Sequence, residues 1–447
     1  MQPSRFNIIV PDQPEPGQAL IYNTLAGGLF VLEPDYRASL ERLAAGAELD
    51  GEDRARLAEM EAEGFVAAGP ELERAMASHR LRMDGYGRAD KVTAKVLTTM
   101  ACNLACRYCF EAHVDRAPRL DEDAARTVAE RLIRRADEIQ AREIAVDFYG
   151  GEPLLNPRAI EVVAEALGQW AREEPGRRFG FTMTTNGTLL TRDMVERLSP
   201  LGFTGARVSL DGVAAVHDAR RPFRAGGGSS HAVIMANLEA VADLIKVTPT
   251  VTVSGEDIAP FAELLDDLDR RGLLRRLAGV QPGLEMPYLD GQGLACGAPD
   301  CALDARAARA FLAMLKLVVA KGLKPHADLL AGHNCALTSE KGPWLFAPDG
   351  GIYKCPMFIG RPEYRVGGLD QPRPLPLYYE LAARERWRDC LENTDCPYLP
   401  LCGSGNGCRL AALRQTGDFW GLNCQKDFYD VFLPEAMRIE HALTEAG

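Results

Sequence analysis

The feature that most constrains this chain is a loop. Residues 96–112, Val-Leu-Thr-Thr-Met-Ala-Cys-Asn-Leu-Ala-Cys-Arg-Tyr-Cys-Phe-Glu-Ala, end an apolar β-rich run at Met100 and then place Cys102, Cys106 and Cys109 in the spacing C-x3-C-x2-C. Iron–sulfur clusters are held by cysteine thiolates. Three thiolates rather than four leave one iron of a [4Fe–4S] cube without a protein ligand. Such an open coordination position is what separates catalytic from structural metal sites. A zinc site or a group of buried cysteines is the plainer alternative for the same three residues.

Cysteine placement along the rest of the chain favours the metal reading. Of twelve cysteines, three lie at 102–109, two are Cys296 and Cys301, and seven fall between 335 and 424. Disulfide scaffolds spread their cysteines, whereas cluster ligands bunch, and no signal-peptide core precedes them. The expected setting is therefore the reducing cytoplasm. A net charge of −12 argues against a nucleic-acid partner. No apolar run reaches membrane-spanning length, so no membrane association is expected.

Residues 1–85 read as a small α+β module. Phe6–Val10, Ala19–Asn23 and Gly28–Leu32 are short β runs. Helices follow over Arg37–Ala44, over Asp50–Glu63 with Asp50 as cap, and over Glu71–Leu81, before a linker at Met83–Gly87. From Lys91 strands and helices alternate. The strands are Thr93–Thr99, Ile144–Tyr149, Phe181–Thr185, Ala206–Leu210, Pro249–Val253 and Ala278–Met286. Ala124, Val128, Leu132 and Ile139 mark one face of the first intervening helix. Asn156 and Pro157 open the second, Thr191 caps the third, Ser230 the fourth, and Ile258–Leu268 forms the fifth. Six strands with helical crossovers predict an α/β fold, a parallel sheet curled into a partial (β/α)6 TIM-like barrel over residues 90–300, with chemistry at the carboxyl ends of the strands. The third region, 301–447, opens with a helix over Ala305–Val319 capped by Asp304 and is cysteine-rich.

The cysteine spacing, with Tyr108 before the last cysteine, resembles the signature of the radical S-adenosylmethionine (SAM) superfamily, and the strand ends carry matching motifs. Gly150-Gly151-Glu152-Pro153 follows the second strand about 40 residues on, Thr184-Thr185-Asn186-Gly187 ends the third, and Val208-Ser209-Leu210-Asp211-Gly212 ends the fourth, with His217-Asp218-Ala219-Arg220-Arg221 beyond. The resemblance implies that Cys102, Cys106 and Cys109 hold a [4Fe–4S] cluster whose open iron chelates SAM, and that one electron cleaves SAM to a 5′-deoxyadenosyl radical. It further implies that Tyr108, Gly150, Gly151, Glu152, Asn186, Ser209 and Arg221 surround SAM, Arg221 meeting its carboxylate. A guanidinium fork suits that task. Arg220 reads as a surface arginine and His217 as structural. Gly226-Gly227-Gly228 lacks the lysine of a P-loop and reads as a lead-in to a capped helix.

In the third region Cys335, Gly350 and Cys355 are followed by Cys390, Cys396, Cys402 and Cys408, successive members separated by five residues, and then by Cys424. This order resembles the SPASM auxiliary-cluster domain, although relatives have C-x2-C where this chain has 390–396, and three residues where it has Gly-Ser-Gly-Asn-Gly after Cys402. The resemblance implies one auxiliary cluster on Cys390, Cys396, Cys402 and Cys424. A second on Cys335, Cys355 and Cys408 is one ligand short, with Cys296 and Cys301 as unassigned candidates.

The first module, three strands then three helices, resembles the winged-helix-like RiPP recognition element (RRE), which adds a leader peptide to its sheet edge. Together the parts imply a radical SAM maturase that oxidatively modifies, and most readily crosslinks, a ribosomally made precursor peptide, fed electrons by a partner such as flavodoxin or ferredoxin. Alternatives are formylglycine formation of the anaerobic sulfatase type, against which Pro356 after Cys355 counts, peptide epimerisation, and a non-catalytic electron carrier or peptide-binding scaffold. No residue stands out as the acid or base: Asp147, Glu285 and Asp290 fall near the expected cavity and read as structural or solvated.

Overall fold

The computed structural model describes residues 1–86, 90–253, 258–285, 288–289, 294–295, 303–325, 328–332, 335–337, 343–371, 373–383, 385, 387–402 and 408–445. Cys296, Cys301, Met286 and Asp290 lie outside the described residues.

The amino-terminal strands are β1 (Gln2–Pro3), β2 (Asn7–Pro11), β3 (Ala19–Asn23) and β4 (Leu29–Leu32). Helices α1 (Pro34–Ala44) and α2 (Gly51–Ala62) follow, then β5 (Val66–Ala67) and α3 (Pro70–Tyr86). β2, β3 and β4 form an antiparallel sheet in that order, and β1 pairs with β5. Asp50 caps α2 in a capping box with Asp53. The expected linker at Met83–Gly87 is instead helical as far as Tyr86, because α3 continues through it.

The middle of the chain alternates β6 (Lys91–Leu97), α4 (Glu122–Ile139), β7 (Glu143–Tyr149), α5 (Pro157–Glu173), β8 (Arg178–Thr185), α6 (Arg192–Leu198), β9 (Phe203–Ser209), α7 (Ala214–Arg220), α8 (Ser230–Val241), β10 (Lys246–Val253), α9 (Ala259–Arg270) and β11 (Gln281–Leu284). These six strands lie parallel in sequence order, the architecture of an open, partial barrel. Side chains alternate across each strand. Val92, Ala94 and Val96, Ile144, Val146 and Phe148, and Phe181 and Met183 face the helices in one apolar core, where Phe148 meets Phe181 edge-on at 5.1 Å. The opposite face carries Lys95, Asp147, Thr182 and Thr184. Asp147 pairs there with Lys95 and with Arg207 at 2.6 Å, and Thr184 joins them.

Two expected caps are replaced. Asn156 does not cap α5; its amide donates to the carbonyls of Thr98 and Leu120, tying the loop before α5 to the end of β6. Ser229, not Ser230, caps α8, because the Ser230 hydroxyl is drawn inward to Asp218 and the Arg221 carbonyl.

Beyond β11 come a hairpin, β12 (Tyr288–Leu289) and β13 (Leu294–Ala295), helix α10 (Ala305–Ala320), then β14 (Trp344–Phe346), β15 (Gly351–Tyr353) and β16 (Gly367–Gly368). β14 adds parallel to β6 and carries β15 and β16 with it, so the third region extends the barrel sheet to nine strands. Gly350 closes the β14–β15 turn at φ +79°, a conformation that favours glycine, and this places Cys355 just past β15. Helices α11 (Pro376–Ala382), α12 (Trp387–Asn393), α13 (Leu399–Cys402), α14 (Arg409–Thr416) and α15 (Lys426–Glu445) complete the chain.

The first module is fastened to this last region. Ile8, Val10, Leu20 and Tyr22 pack with residues of α10 and α15, while Phe6, Ala77 and Leu81 share a core with Trp387, Leu391 and Leu399. Tyr22 donates to the Leu330 carbonyl at 2.8 Å.

Candidate functional site

The cysteine loop leaves β6 and is held from two sides. Gly151 and Glu152 donate their amides to the carbonyls of Thr99 and Ala101. A Cβ on Gly151 would stand 2.5 Å from the Met100 carbonyl oxygen, so only glycine lets the loop after β7 press this closely on the start of the cysteine loop. On the other side the segment after α7 straps the loop. Ala105 and Arg107 donate to the carbonyls of Pro222 and Arg220, Arg224 donates its amide to Asn103, and its side chain reaches the carbonyls of Cys102 and Leu104.

Held this way, Cys102, Cys106 and Cys109 face a cavity of about 610 Å³ at the carboxyl ends of the strands, within the range of small-ligand pockets. Tyr108, Gly150, Gly151, Asn186, Ser209 and Arg221 all line it. Glu152 does not. Its carboxylate is fully buried and accepts from Thr185 Oγ1, Asn186 N and Leu154 N, bracing the end of β8 against the loop after β7. Burial pushes its pKa up to about 7 against those hydrogen bonds.

Arg220 is not a surface residue. Asp211, whose side chain is inaccessible, accepts from Tyr108 Oη, Arg220 Nε at 3.1 Å and Arg221 Nε at 3.0 Å. Both guanidinium groups lie over the Tyr108 ring, at 4.6 and 5.1 Å from its centroid. Burial would raise the Asp211 pKa, but Arg221, Tyr108 and Arg220 outweigh it and hold the carboxyl below its usual value. His217 is buried and accepts the Asp211 amide at Nδ1; burial drives its pKa down to about 4, so the ring is neutral. Arg221 thus meets a protein carboxylate through Nε while its Nη1 reaches Cys106 Sγ at the wall of the cavity it lines.

Two cavity residues gave little sign of themselves in sequence. Glu111 is buried, and burial pushes its pKa up to about 7. Arg116 reaches Cys109 and the Met100 carbonyl. An acid two positions after the last cysteine was a faint hint for Glu111; Arg116 belongs to no motif. Of the candidate acid–base residues, Glu285 lines the cavity and Asp147 is committed to Lys95 and Arg207.

The donor set suits an iron–sulfur cube: three sulfurs on one loop, each beside an N–H donor and facing open space. Among the described residues no three His, Cys, Asp or Glu side chains gather as they would around one metal ion. A cube spreads its thiolates over different irons and does not need that spacing. Burial pushes the Cys102 thiol up to about 11 and raises Cys106, so loading iron on this loop releases protons.

Further along the chain, burial and the neighbouring Cys335 and Cys408 raise Cys355, which brings those three together. Cys396 is raised by burial and by nearby Cys424, while Cys402 packs in the same apolar cluster as Cys396 and Cys390 packs beside Trp387 and Leu391.

Fold and site define an open parallel barrel of βα units with a three-cysteine loop at the carboxyl end of its first strand. Residues 96–268 match the Radical SAM superfamily model, and the chain carries a radical SAM domain, a class whose cofactors are a [4Fe–4S] cluster and SAM. Over 130 residues it is 38% identical to the serine-type anaerobic sulfatase-maturating enzyme of Klebsiella aerogenes, covering 28% of this chain and 31% of that protein. The chain therefore spans only about a third of that relative's length. The structure of anSMEcpe with bound AdoMet and Kp18Cys peptide is 17% identical, with a TM-score of 0.61 over 79% of this chain and 99% of its own. Streptococcus suis SuiB bound to S-adenosylmethionine is 14% identical, with a TM-score of 0.55 over 96% of this chain and all of its own. At these identities the likeness to the two structures is one of fold.

Proposed function

We propose that this chain is a radical SAM maturase that oxidatively modifies a peptide, with a ribosomally made precursor as substrate and a crosslink as the favoured product. The observation that carries the reading is convergence: the three loop cysteines and the motif residues of three further strand ends border one cavity. When bound, cluster and SAM would supply a 5′-deoxyadenosyl radical able to take hydrogen from an unactivated carbon. The chain's own residues do the rest. Cys102, Cys106 and Cys109 hold the cluster, Gly150 and Gly151 give SAM a close backbone, and Asn186, Ser209 and Arg221 orient it. Leu284 and Met357 supply apolar wall that keeps water from the reacting carbon, Met357 being contributed by the third region. Glu285 and Glu111 are the carboxyls at hand for a proton.

The cysteines of the third region would hold two auxiliary clusters, one on Cys335, Cys355 and Cys408 and one on Cys390, Cys396, Cys402 and Cys424, giving the second electron of the oxidation a way out. Residues 1–85 would bind a leader peptide. One face of the β2–β3–β4 sheet packs on α10 and α15 and the other on α1 and α2, which leaves its edges; among the described residues β4 pairs with β3 alone, and it carries exposed Phe30. The solved SuiB bound to precursor peptide SuiA supports the substrate class. A low-potential carrier such as flavodoxin or ferredoxin would deliver the first electron. Among the described residues no two cysteines are joined in a disulfide, and a reducing compartment such as the cytoplasm is the setting in which thiolate-held clusters persist. No helix among the described residues is long and apolar enough to cross a membrane.

Similarity to the sulfatase-maturating enzyme keeps formylglycine formation as a second reading. Anaerobic reconstitution tests the first step: the loaded chain should release 5′-deoxyadenosine from SAM under dithionite, and Cys102→Ala should abolish it. A fully loaded chain that leaves SAM intact would refute the proposal. Co-expression with a short peptide encoded beside the enzyme should then give a product lighter by two hydrogens per crosslink, whereas epimerisation leaves the mass unchanged.

A further inference from the structure

Each of the three loop sulfurs has a side-chain N–H donor from a different part of the fold. Asn186 Nδ2 lies 3.8 Å from Cys102 Sγ, Arg221 Nη1 3.7 Å from Cys106 Sγ, and Arg116 Nη2 3.6 Å from Cys109 Sγ. Asn186 follows the end of β8, and Arg221 follows α7. Arg116 comes from the irregular stretch between the cysteine loop and α4. Its Nη1 also donates to the Met100 carbonyl at 3.1 Å, so one guanidinium spans the loop from the end of β6 to the last cysteine.

The two arginines differ in what balances them. Arg221 shares buried Asp211 with Arg220. Arg116 makes no ion pair within 4.0 Å among the described residues; the buried Glu111 carboxyl feels its charge across the cavity, but the group its Nη2 touches is the Cys109 sulfur. A [4Fe–4S]2+ core on three thiolates carries one net negative charge, and taking up one electron to reach the 1+ core makes it two. Donors and cations at the sulfurs therefore favour the reduced form, and cluster potentials are set in part by such bonds and by net charge.

We propose that Arg116 is a positioning residue that sets the potential of this centre: anchored on the Met100 carbonyl, its guanidinium donates to the Cys109 thiolate and eases one-electron reduction by a low-potential carrier. The inference rests on the reading that Cys102, Cys106 and Cys109 hold the cluster.

The test is an EPR-monitored redox titration of the full chain, reconstituted anaerobically and poised with dithionite and mediators. The signal of this centre is picked out as the part that added SAM shifts. A wild-type chain with no SAM-responsive signal would overturn the underlying reading before any variant is made, and so separates that failure from this one. Arg116→Met should keep its iron content and melting temperature while its equilibrium constant for reduction falls at least tenfold, about 59 mV for one electron. Arg116→Gln, neutral but still a donor, should fall between. Arg119→Gln, at a nearby exposed arginine whose guanidinium donates to the Leu155 carbonyl, should leave the potential in place. A wild-type potential in fully loaded Arg116→Met overturns the proposal, and so does an equal shift in Arg119→Gln. Should Arg116→Met not assemble, Arg116→Gln carries the same expectation of a lower potential. Failure of both to assemble would make Arg116 a builder of the site and would also overturn it.

Discussion

Gly151→Ala isolates the contact on which the site depends. The added Cβ would stand 2.5 Å from the Met100 carbonyl oxygen, 2.7 Å from the Ala101 carbonyl carbon, and closer still to the Ala101 oxygen. All three are backbone atoms, so no side-chain rotation relieves the overlap. Either the loop after β7 or the cysteine loop must withdraw by about an ångström. Overpacking of this kind costs about 1–3 kcal/mol. Withdrawal also strains the hydrogen bonds from Gly151 to Thr99 and from Glu152 to Ala101, at about 1 kcal/mol each. The expected loss is about 3–5 kcal/mol, concentrated where Cys102 is placed. Gly227→Ala is the control: its φ of +76° strains any L residue, but nothing lies within 4 Å, so it should cost only about 1–2 kcal/mol and leave the loop in place. Urea unfolding of the apo chains gives the energies, and iron and SAM-binding measurements on reconstituted chains report the site. Gly151→Ala should lose the SAM-responsive iron and keep the iron of the third region. A Gly151→Ala chain with wild-type stability and full SAM binding would refute the steric argument.

Asp211→Asn should destabilise the chain by about 2–4 kcal/mol and weaken cluster loading, because it strips the shared carboxylate from Arg220, Arg221 and Tyr108 inside the fold; thermal melts and iron content check this, and Arg220→Leu should cost less. Burial raises the Glu111 carboxyl from 4.5 to about 7, so across that window the folded apo chain binds more protons than the unfolded one and loses stability as pH rises, by up to about 3 kcal/mol. Glu111→Gln should remove that loss and so be the more stable chain at pH 8, with little advantage at pH 5; urea midpoints at the two values decide, and equal pH slopes would contradict it. Gly168→Ala, inside α5 where only the flexible end of Arg172 comes within 4 Å, should stabilise by about 0.5–1 kcal/mol without touching the site, as a rise in melting temperature.

Much of this molecule was legible because its signals are local. Apolar alternation over five to eight residues marks a parallel strand, 3.6-residue periodicity marks the helix that returns, and C-x3-C-x2-C fixes which side chains one loop can gather. The fold class and the six barrel strands follow from those periods, whereas the residues expected around the cavity came from the resemblance of the strand-end motifs. Partner choice by long polar side chains does not. Asn156 sits where a cap belongs, yet it bonds Thr98 and Leu120, respectively 58 and 36 residues away. Arg220 looks solvated until Asp211 and the ring of Tyr108 are brought beneath it. Glu152 stands in the motif expected to surround SAM and turns inward to Thr185 and Asn186. That β14 joins β6, and that the first module shares its core with α12, depends on apolar faces that carry no address of their own. The sequence alone determined the framework and the identity of the loop thiols. Tertiary structure decided which charges surround them, since Arg221 and Cys106 are 115 residues apart and no local period spans that distance.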